Sequence, residues 1–414
     1  MLEKMKSAWR IPELRKKIIY TFGMLLLYRL LCCIPVPGVN IAAVSEAVKS
    51  FSVLDFMNMM TGGSFQNMTI MAMGITPYIN ASIILQLLTV AIPTLEKLAK
   101  EGPEGRKKIT EWTRYLTVAL AFVQAVGLVF AMRANSYGGI WYLVIGISMA
   151  AGTALAMWVG ERITENGIGN GISLLIMAGI VSNMFNWSRQ AVVGLIDGTV
   201  GIIAVLVVVL AFLVMIVAIT YVDMGERRIP VQYAKRMVGR KMYGGQSTHI
   251  PMKLNSTGVM PLIFGFAILQ FPATVFAFFP TSGINMWWNS FQNGIWYQIV
   301  LAVLIIAFTY FYTSITFNPI DISKNMQQNG GIIPGIRQGR ATTDYLARVS
   351  SRLTLFSALF LAVLATIPTI ITRLFGVSTP FAASSVLIAV SVGIETIRQI
   401  EAQMVMRHHK GFLG

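Results

Sequence analysis

Residues 74–87 of the 414-residue chain read GITPYINASIILQL, and residues 258–271 return to the same pattern as GVMPLIFGFAILQF. Glycine, proline, isoleucine, leucine and glutamine fall in the same register in both stretches, 184 positions apart. Proline lacks an amide hydrogen and clashes with the carbonyl group four residues earlier, so each stretch is predicted to begin or bend a helix at its proline. We interpret the pair as an internal repeat; the alternative is chance agreement between two apolar segments.

The composition places the chain in a membrane. Hydrophobic residues make up 55% of the sequence, charged residues only 12%, and the mean hydropathy is +0.66. A soluble domain of this length does not bury so much apolar surface, so a polytopic membrane protein is predicted. The two cysteines, Cys32 and Cys33, are adjacent and suit neither an ordinary disulfide nor a zinc site.

Ten apolar runs are long enough to be spans, since a bilayer core needs about 20 apolar residues per helix. An even number of spans puts both termini on one side. That side carries 28 lysines and arginines and the other side carries 4, so both termini are predicted to be cytoplasmic. The runs are 18–34, 68–93, 115–132, 140–159, 171–187, 199–222, 257–279, 296–317, 353–372 and 384–405.

The two repeat copies lie five spans apart, so they cross the membrane in opposite directions. The predicted fold is therefore all-α, with ten transmembrane helices in two inverted five-helix halves, 1–197 and 198–414, around a central pore. Matching interrupted segments in inverted halves point to a pathway at the midplane between them. The alternative is that the two prolines only kink packing helices.

Isoleucines are predicted to line this pathway. Ile75 and Ile79 lie four residues apart on one helical face, as do Ile172 and Ile176. A ring of branched apolar side chains excludes water and ions and offers a passing chain no polar partner. Lipid contact or core packing is the alternative for any one of these isoleucines.

Three further segments suggest a large cargo. Residues 51–60 form a predicted short helix ended by Thr61-Gly62-Gly63, either a plug of about 51–64 that folds into the pore or an interfacial helix. The cytoplasmic loops at about 224–256 and 318–351 are long and basic. They are either docking surfaces or solvated loops that follow the positive-inside pattern.

Several motifs in the right order resemble the SecY family, the channel subunits of the bacterial protein translocase. Gln338 replaces a proline usual in that family, and Ala382-Ala383 replaces a usual glycine pair. The motifs that carry the resemblance are IPELR (11–15), IPVPG (34–38), residues 74–88, EGPEGRKK (101–108), GIGNGIS (167–173), QSTHIP (246–251), Asn318-Pro319 and IPGIR (333–337).

This resemblance implies a role for particular residues. The hydrophobic pore ring falls on Ile75, Ile79, Ile172, Ile176, Ile263 and Ile388. The plug includes Phe51, Leu54, Phe56, Met57, Met60, Gly62 and Gly63. Polar candidates at a gate that opens sideways to lipid are Asn80, Gln86 and Gln270. Residues for docking a motor or ribosome are Arg240, Lys241, Arg337 and Arg340.

The resemblance also implies the function: a channel in the bacterial plasma membrane that passes unfolded secretory polypeptides and releases membrane segments into the bilayer. Neither enzymatic activity nor a cofactor is expected. The sequence has no Gly-x-x-x-x-Gly-Lys-Ser/Thr loop for nucleotide, so the driving force is expected from a partner. The implied partners are the SecA motor, the small membrane subunits SecE and SecG, and the ribosome, including phosphate contacts to ribosomal RNA.

Two other classes of protein remain open at this point. A secondary transporter also fits ten spans with inverted repeats, but it needs a charged residue at the midplane. An intramembrane enzyme is the other alternative, although neither a His-Glu-x-x-His pair nor a serine, histidine and aspartate set is found at membrane depth.

Overall fold

The computed structural model describes most of the chain. The described residues are 11–41, 61–131, 139–198, 201–233, 236–238, 241–243, 247–277, 283–292, 294–375 and 383–410, together with Trp9, Val44 and Asn58. They divide into two compact units, each composed of segments from different parts of the sequence. The first unit contains Met1–Phe212, Ala267–Asn293 and Pro368–Gly414, and the second contains Leu213–Phe266 and Gly294–Ile367.

Helices dominate the architecture. In chain order they are α1 (Pro12–Leu31), α2 (Thr76–Ala91), α3 (Pro93–Lys100), α4 (Pro103–Ala131), α5 (Gly139–Asn166), α6 (Gly171–Ile196), α7 (Ile202–Met224), α8 (Met260–Ala277), α9 (Gly283–Gln292), α10 (Ile295–Thr316), α11 (Pro319–Gln328), α12 (Arg340–Phe375) and α13 (Ala383–Lys410). A helix covers most of each of the ten predicted spans. Among the described residues six helices are long and apolar enough to cross a membrane, or seven if α2 and α3, bent by 107°, form one broken span.

The predicted role of the two prolines is confirmed. Helix α2 begins at Thr76 with Pro77 in its first turn, and α8 begins at Met260, one residue before Pro261. The preceding residues turn sharply, because Gly74 has a φ of +52° and Gly258 a φ of +61°. Each repeat copy is thus a turn at glycine followed directly by a helix that starts at proline.

The second predicted span is wrong in its first part. Residues 68–75 form successive turns, and the helix starts only at Thr76. Met68 adopts a φ of +42°, and the amide of Ile70 bonds to the carbonyl of Ile34 at 2.9 Å instead of continuing a helix. The apolar side chains that suggested a span are buried in protein.

The turns at residues 61–75, which we call the turn segment, form the centre of the first unit. The side chains of Phe65, Met68 and Met73 are fully buried there. They pack with residues of α4 and α5, including Val129 and Ile145. Helix α5 approaches so closely that a Cβ atom on Gly152 would overlap the carbonyl oxygen of Ile70.

Among the described residues, the second unit contains five strands that the sequence did not predict. Strands β1 (Glu226–Tyr233), β4 (Ser247–Lys253) and β5 (Gly331–Ile332) form an antiparallel sheet in the order β4-β1-β5, and β2 (Arg236–Val238) pairs with β3 (Lys241–Tyr243). Ile229 lies opposite Ile250 in the register. The two predicted loops, 224–256 and 318–351, therefore share one sheet.

A small core holds these two loops together. Strand residues Ile229 and Val231 are buried with Met326 of α11, Ile333 and Leu346 of α12. The loops are consequently a packed structure with its own apolar centre. They are not merely solvated connections between spans.

The contact between α5 and the turn segment gives a stability prediction. Gly152→Ala forces a methyl group onto the Ile70 carbonyl, and overpacking of this kind costs about 1–3 kcal/mol. We expect a lower melting temperature for the detergent-solubilised protein. Gly23→Ala is the matched control, because Gly23 also lies in a helix but, among the described residues beyond its own helix backbone, no atom lies within 4 Å of its Cβ position. Equal melting temperatures for the two variants would contradict the close packing.

Candidate functional site

The first repeat copy lines a small cavity in the first unit. Its volume is about 10 Å³, the room of about one water molecule. Two of the isoleucines come from the start of α2 and one from α6, so three of the six predicted ring residues meet here. The lining residues are Tyr28, Thr61, Gly74, Ile75, Thr76, Ile79, Leu175 and Ile176.

The start of α6 is fixed by an asparagine cap. The Asn170 side-chain oxygen accepts hydrogen bonds from the amides of Ile172 at 3.1 Å and Ser173 at 3.3 Å. The Ile172 side chain contacts α5, since its Cγ1 atom lies 2.9 Å from the Cβ position of Gly160. Ile176, one turn later, faces the cavity. These two isoleucines are therefore not equivalent.

The remaining predicted ring residues lie in other helices. Ile388 is buried in α13, which packs against α6. The Gln399 side chain of α13 accepts a hydrogen bond of 3.0 Å from the amide of Gly169, next to the α6 cap. Ile263 is half-buried in α8, within the second compact unit.

The predicted gate residues occupy α2 and α8. Asn80 and Gln86 are half-buried in α2. Gln270 lies in α8, where the structure describes its backbone only. The assignment of these three residues to a gate stays a prediction.

The predicted plug is described only at its end. Phe51, Leu54, Phe56, Met57 and Met60 lie outside the described residues. Gly62 and Gly63 are described, with φ values of +66° and +88°. These left-handed conformations favour glycine, in agreement with a chain that turns at the end of a short helix.

The predicted docking arginines lie on a loop that hydrogen bonds hold in place, which we call the braced loop. Arg337 and Arg340 are exposed. The Arg337 carbonyl accepts a hydrogen bond of 2.8 Å from Thr342, and the Gln338 side chain donates one of 3.2 Å to the carbonyl of Gly331 in β5. Gln338, which replaces a usual proline, thus ties the loop to the sheet.

The other two docking candidates belong to the β2–β3 region. Arg240 lies outside the described residues. The backbone of Lys241 is described as the first residue of β3, and nothing is described of its side chain.

A buried polar network at the start of the second repeat copy escaped the sequence analysis. The Asn255 side-chain oxygen accepts hydrogen bonds from Ser357 at 3.0 Å and Thr257 at 3.2 Å. Its nitrogen lies 3.4 Å from both an Asp223 carboxylate oxygen and the Gly258 carbonyl oxygen. Asn255 thereby connects α7, α12 and the turn that starts α8.

The local part of this network has a sequence signal, since Asn-x-Thr-Gly before a proline is typical of a turn. Ser357 lies 102 residues away from Asn255, and no local pattern indicates that contact. Aromatic packing adds to the same region, where the Phe264 ring lies 5.5 Å from Phe308 and 6.2 Å from Tyr312.

The site offers a passing chain an apolar surface. Of the residues that line the cavity, none carries a charge. Within the described part of the chain no group of three histidine, cysteine, aspartate or glutamate residues could hold a metal ion. The isoleucine and leucine side chains disfavour ions, and the polar side chains of the lining are the hydroxyl groups of Tyr28, Thr61 and Thr76.

The buried network yields a second stability prediction. Ser357→Ala removes one of the two hydrogen bonds to the Asn255 oxygen, and the net contribution of such a bond is about 0.5–1.5 kcal/mol. A lower melting temperature is expected. Ser351→Ala on the same helix is the control because Ser351 is exposed. If Ser351→Ala destabilised the protein as much, the network would not be the cause.

Comparisons with known proteins agree on one family. A model of the SecY family matches residues 69–397. The protein translocase subunit SecY of Mycobacterium tuberculosis is 42% identical over 448 residues, with all of both chains covered.

Solved structures have the same fold. One, on the plug domain of the SecY protein, which stabilises the closed state and maintains a membrane seal, has a TM-score of 0.68 at 22% identity and covers 94% of this chain and 92% of that one. Sec61 in the canine ribosome–channel complex from the endoplasmic reticulum has a TM-score of 0.66 at 20% identity, with 94% and 93% covered.

Proposed function

Since the chain belongs to the SecY family of protein translocase subunits, we propose that its isoleucine-lined cavity is part of the constriction through which unfolded polypeptide passes. The protein is a multi-pass membrane protein and a protein-conducting channel, not an enzyme. This assignment decides against the solute transporter and the intramembrane enzyme. The observation that carries the proposal is the convergence of Ile75, Ile79 and Ile176 on one cavity.

A narrow apolar constriction suits this task. Branched side chains close around one another when no polypeptide is present, and they exclude ions because water leaves an apolar gap of this size. A polypeptide of any sequence can also move past these side chains, since they form no hydrogen bonds that would hold it. Ile263 and Ile388 are proposed ring residues as well, and so is Ile172, at the point where α6 packs against α5.

The plug and the sideways gate extend the proposal. Thr61, at the end of the plug of about 51–64, lines the same cavity as the isoleucines, which supports a plug that enters the constriction. Asn80, Gln86 and Gln270 are proposed to flank an opening towards lipid. Apolar segments of the cargo leave there because the bilayer solvates them better than water does.

The proposed topology places both termini in the cytoplasm of a bacterium, in its plasma membrane. It rests on the excess of lysine and arginine on one side, 28 against 4. Residues 1–197 and 198–414 are then proposed to be inverted halves, with the glycine–proline starts of α2 and α8 at corresponding positions.

The proposed partners follow from the exposed basic surface. Arg337 and Arg340 stand on the braced loop, and with Arg240 and Lys241 they are candidates for contacts to the SecA motor or to the ribosome. A canine relative of the same fold is part of a ribosome–channel complex, and arginine binds RNA phosphates readily. SecE and SecG are the proposed membrane partners.

Site-specific photocrosslinking tests the constriction. We expect a crosslinker at residue 79 or 263 to capture a ribosome-tethered secretory chain stalled in the channel, because both side chains line the proposed ring. Crosslinkers at Ile84 and Ile268 are the controls, since these isoleucines lie in the same helices but are 39% and 45% exposed. Equal capture at all four positions, or capture at the control positions alone, would refute the ring.

Charge reversal tests the docking loop. Arg337→Glu is expected to reduce SecA-driven secretion at least about tenfold while insertion of membrane proteins falls less, because loss of a hydrogen-bonded charge contact costs about 1.5–3 kcal/mol. Secretion and insertion are measured side by side in inverted vesicles. Lys324→Glu, an exposed reversal on α11, is the control. A loss of secretion and insertion to the same extent would argue against a motor-specific role.

A further inference from the structure

Arg29 is a cation inside the first predicted span, and it donates a hydrogen bond to a backbone carbonyl group. It lies near the end of α1, and its Nη2 atom donates a hydrogen bond to the carbonyl oxygen of Ala178 in α6. A charged side chain at membrane depth is costly and usually serves a function there. The site already described makes no use of this cation.

The guanidinium group also lies against Gly62. The Cβ position of Gly62 lies 2.8 Å from Nη1 and 2.9 Å from Nη2 of Arg29, and 2.8 Å from the carbonyl oxygen of Gly179. A side chain at residue 62 would therefore collide with both the cation and the backbone of α6. Only glycine allows the turn segment, α1 and α6 to meet at this point.

Gly62 lies in a short stretch at the end of the proposed plug that several hydrogen bonds hold together. The Gly63 amide donates to the Asn58 carbonyl at 3.0 Å, and the Gln66 amide donates to the Asn58 side chain at 3.0 Å. The Thr61 hydroxyl accepts a hydrogen bond of 3.2 Å from the amide of Phe65. A shift of Gly62 consequently moves Asn58 and residues 61–66 with it.

The same stretch borders the isoleucine cavity. Thr61 lines it directly, and Ile176, a ring residue, lies two positions before Ala178 in α6. Because a helix moves as a rigid body, any displacement of Ile176 by a polypeptide also displaces the Ala178 carbonyl. The Arg29 contact is thus mechanically coupled to the constriction.

We propose that Arg29, Gly62 and the carbonyl groups of Ala178 and Gly179 form a latch that holds the end of the plug against α6 in the closed channel. Arg29 is a positioning residue, which acts through the plug and not by contact with the cargo. The inference rests on the proposed plug. When cargo displaces α6, the hydrogen bond from Arg29 to Ala178 breaks and the closed state loses its support.

A pair of glycine variants tests the latch. Gly62→Ala places a methyl group in the contact, whereas Gly63→Ala has only the Asn186 side chain at 3.8 Å from its Cβ position. Both glycines have positive φ values, so both variants carry the same kind of backbone strain. We expect Gly62→Ala to raise the ion conductance of the idle channel in planar bilayers at least about fivefold over Gly63→Ala.

Arg29 variants provide the second arm. Arg29→Met should raise idle conductance as Gly62→Ala does, and it should let a secretory reporter with a defective signal sequence through. Export of a reporter with an intact signal should continue. The double variant should not exceed either single variant, because both remove one contact. Arg189→Met, an exposed cation of α6, controls for loss of charge.

The outcomes separate the latch from the function of the channel. Equal conductance of Gly62→Ala and Gly63→Ala, or wild-type conductance of Arg29→Met, would overturn the latch. If Arg29→Met does not accumulate in membranes, the glycine pair decides. Conversely, failure of the crosslinker at residue 79 to capture cargo would count against the constriction itself, whatever the conductances show.

Discussion

Backbone groups at membrane depth must find hydrogen-bond partners within the protein, and the turn segment meets this constraint without being helical. Its carbonyl and amide groups bond to the chain that follows α1, through Met68 to Val36 and Ile70 to Ile34, both at 2.9 Å. Other bonds are internal, such as that between Thr69 and Ser64 at 3.2 Å, or join the segment to Asn58. These hydrogen bonds therefore hold the turn segment in one position. From it α2 starts at one defined point, which places Ile75 and Ile79 in the cavity.

Small residues let neighbouring helices pack closely and so fix their positions. A Cβ atom on Gly171 would overlap the carbonyl oxygen of Gly160, so α5 and α6 approach each other in backbone contact. This approach leaves Ile172 against α5, while Ile176 remains available to the cavity. In a membrane, where lipid is as apolar as leucine, close packing of this kind replaces the hydrophobic effect as the main force between helices.

Features that depend on neighbouring residues could be predicted from the sequence, whereas contacts between distant residues could not. The helix starts at Pro77 and Pro261 follow from a local rule and were predicted. The turns at 68–75 were not, because hydropathy counts Met68, Met71 and Met73 as apolar without saying whether lipid or protein surrounds them. The contact of Asn255 with Ser357 spans 102 residues, and the pairing of Ile229 with Ile250 joins two ends of a loop. Such contacts depend on the assembled fold, and no short pattern encodes them.

The placement of polar groups explains why such a channel needs an external driving force. Arg29 donates to a carbonyl group of the protein, and the side-chain amide of Asn255 bonds to its neighbours, so both polar groups are engaged within the protein. The cavity lining itself carries no charge. A conduit of this kind gains almost nothing from any particular segment that passes, so it neither traps the chain nor pulls it. Direction must then come from a partner, and in the proposed topology the exposed Arg337 and Arg340 on the braced loop are the candidates for contacting it.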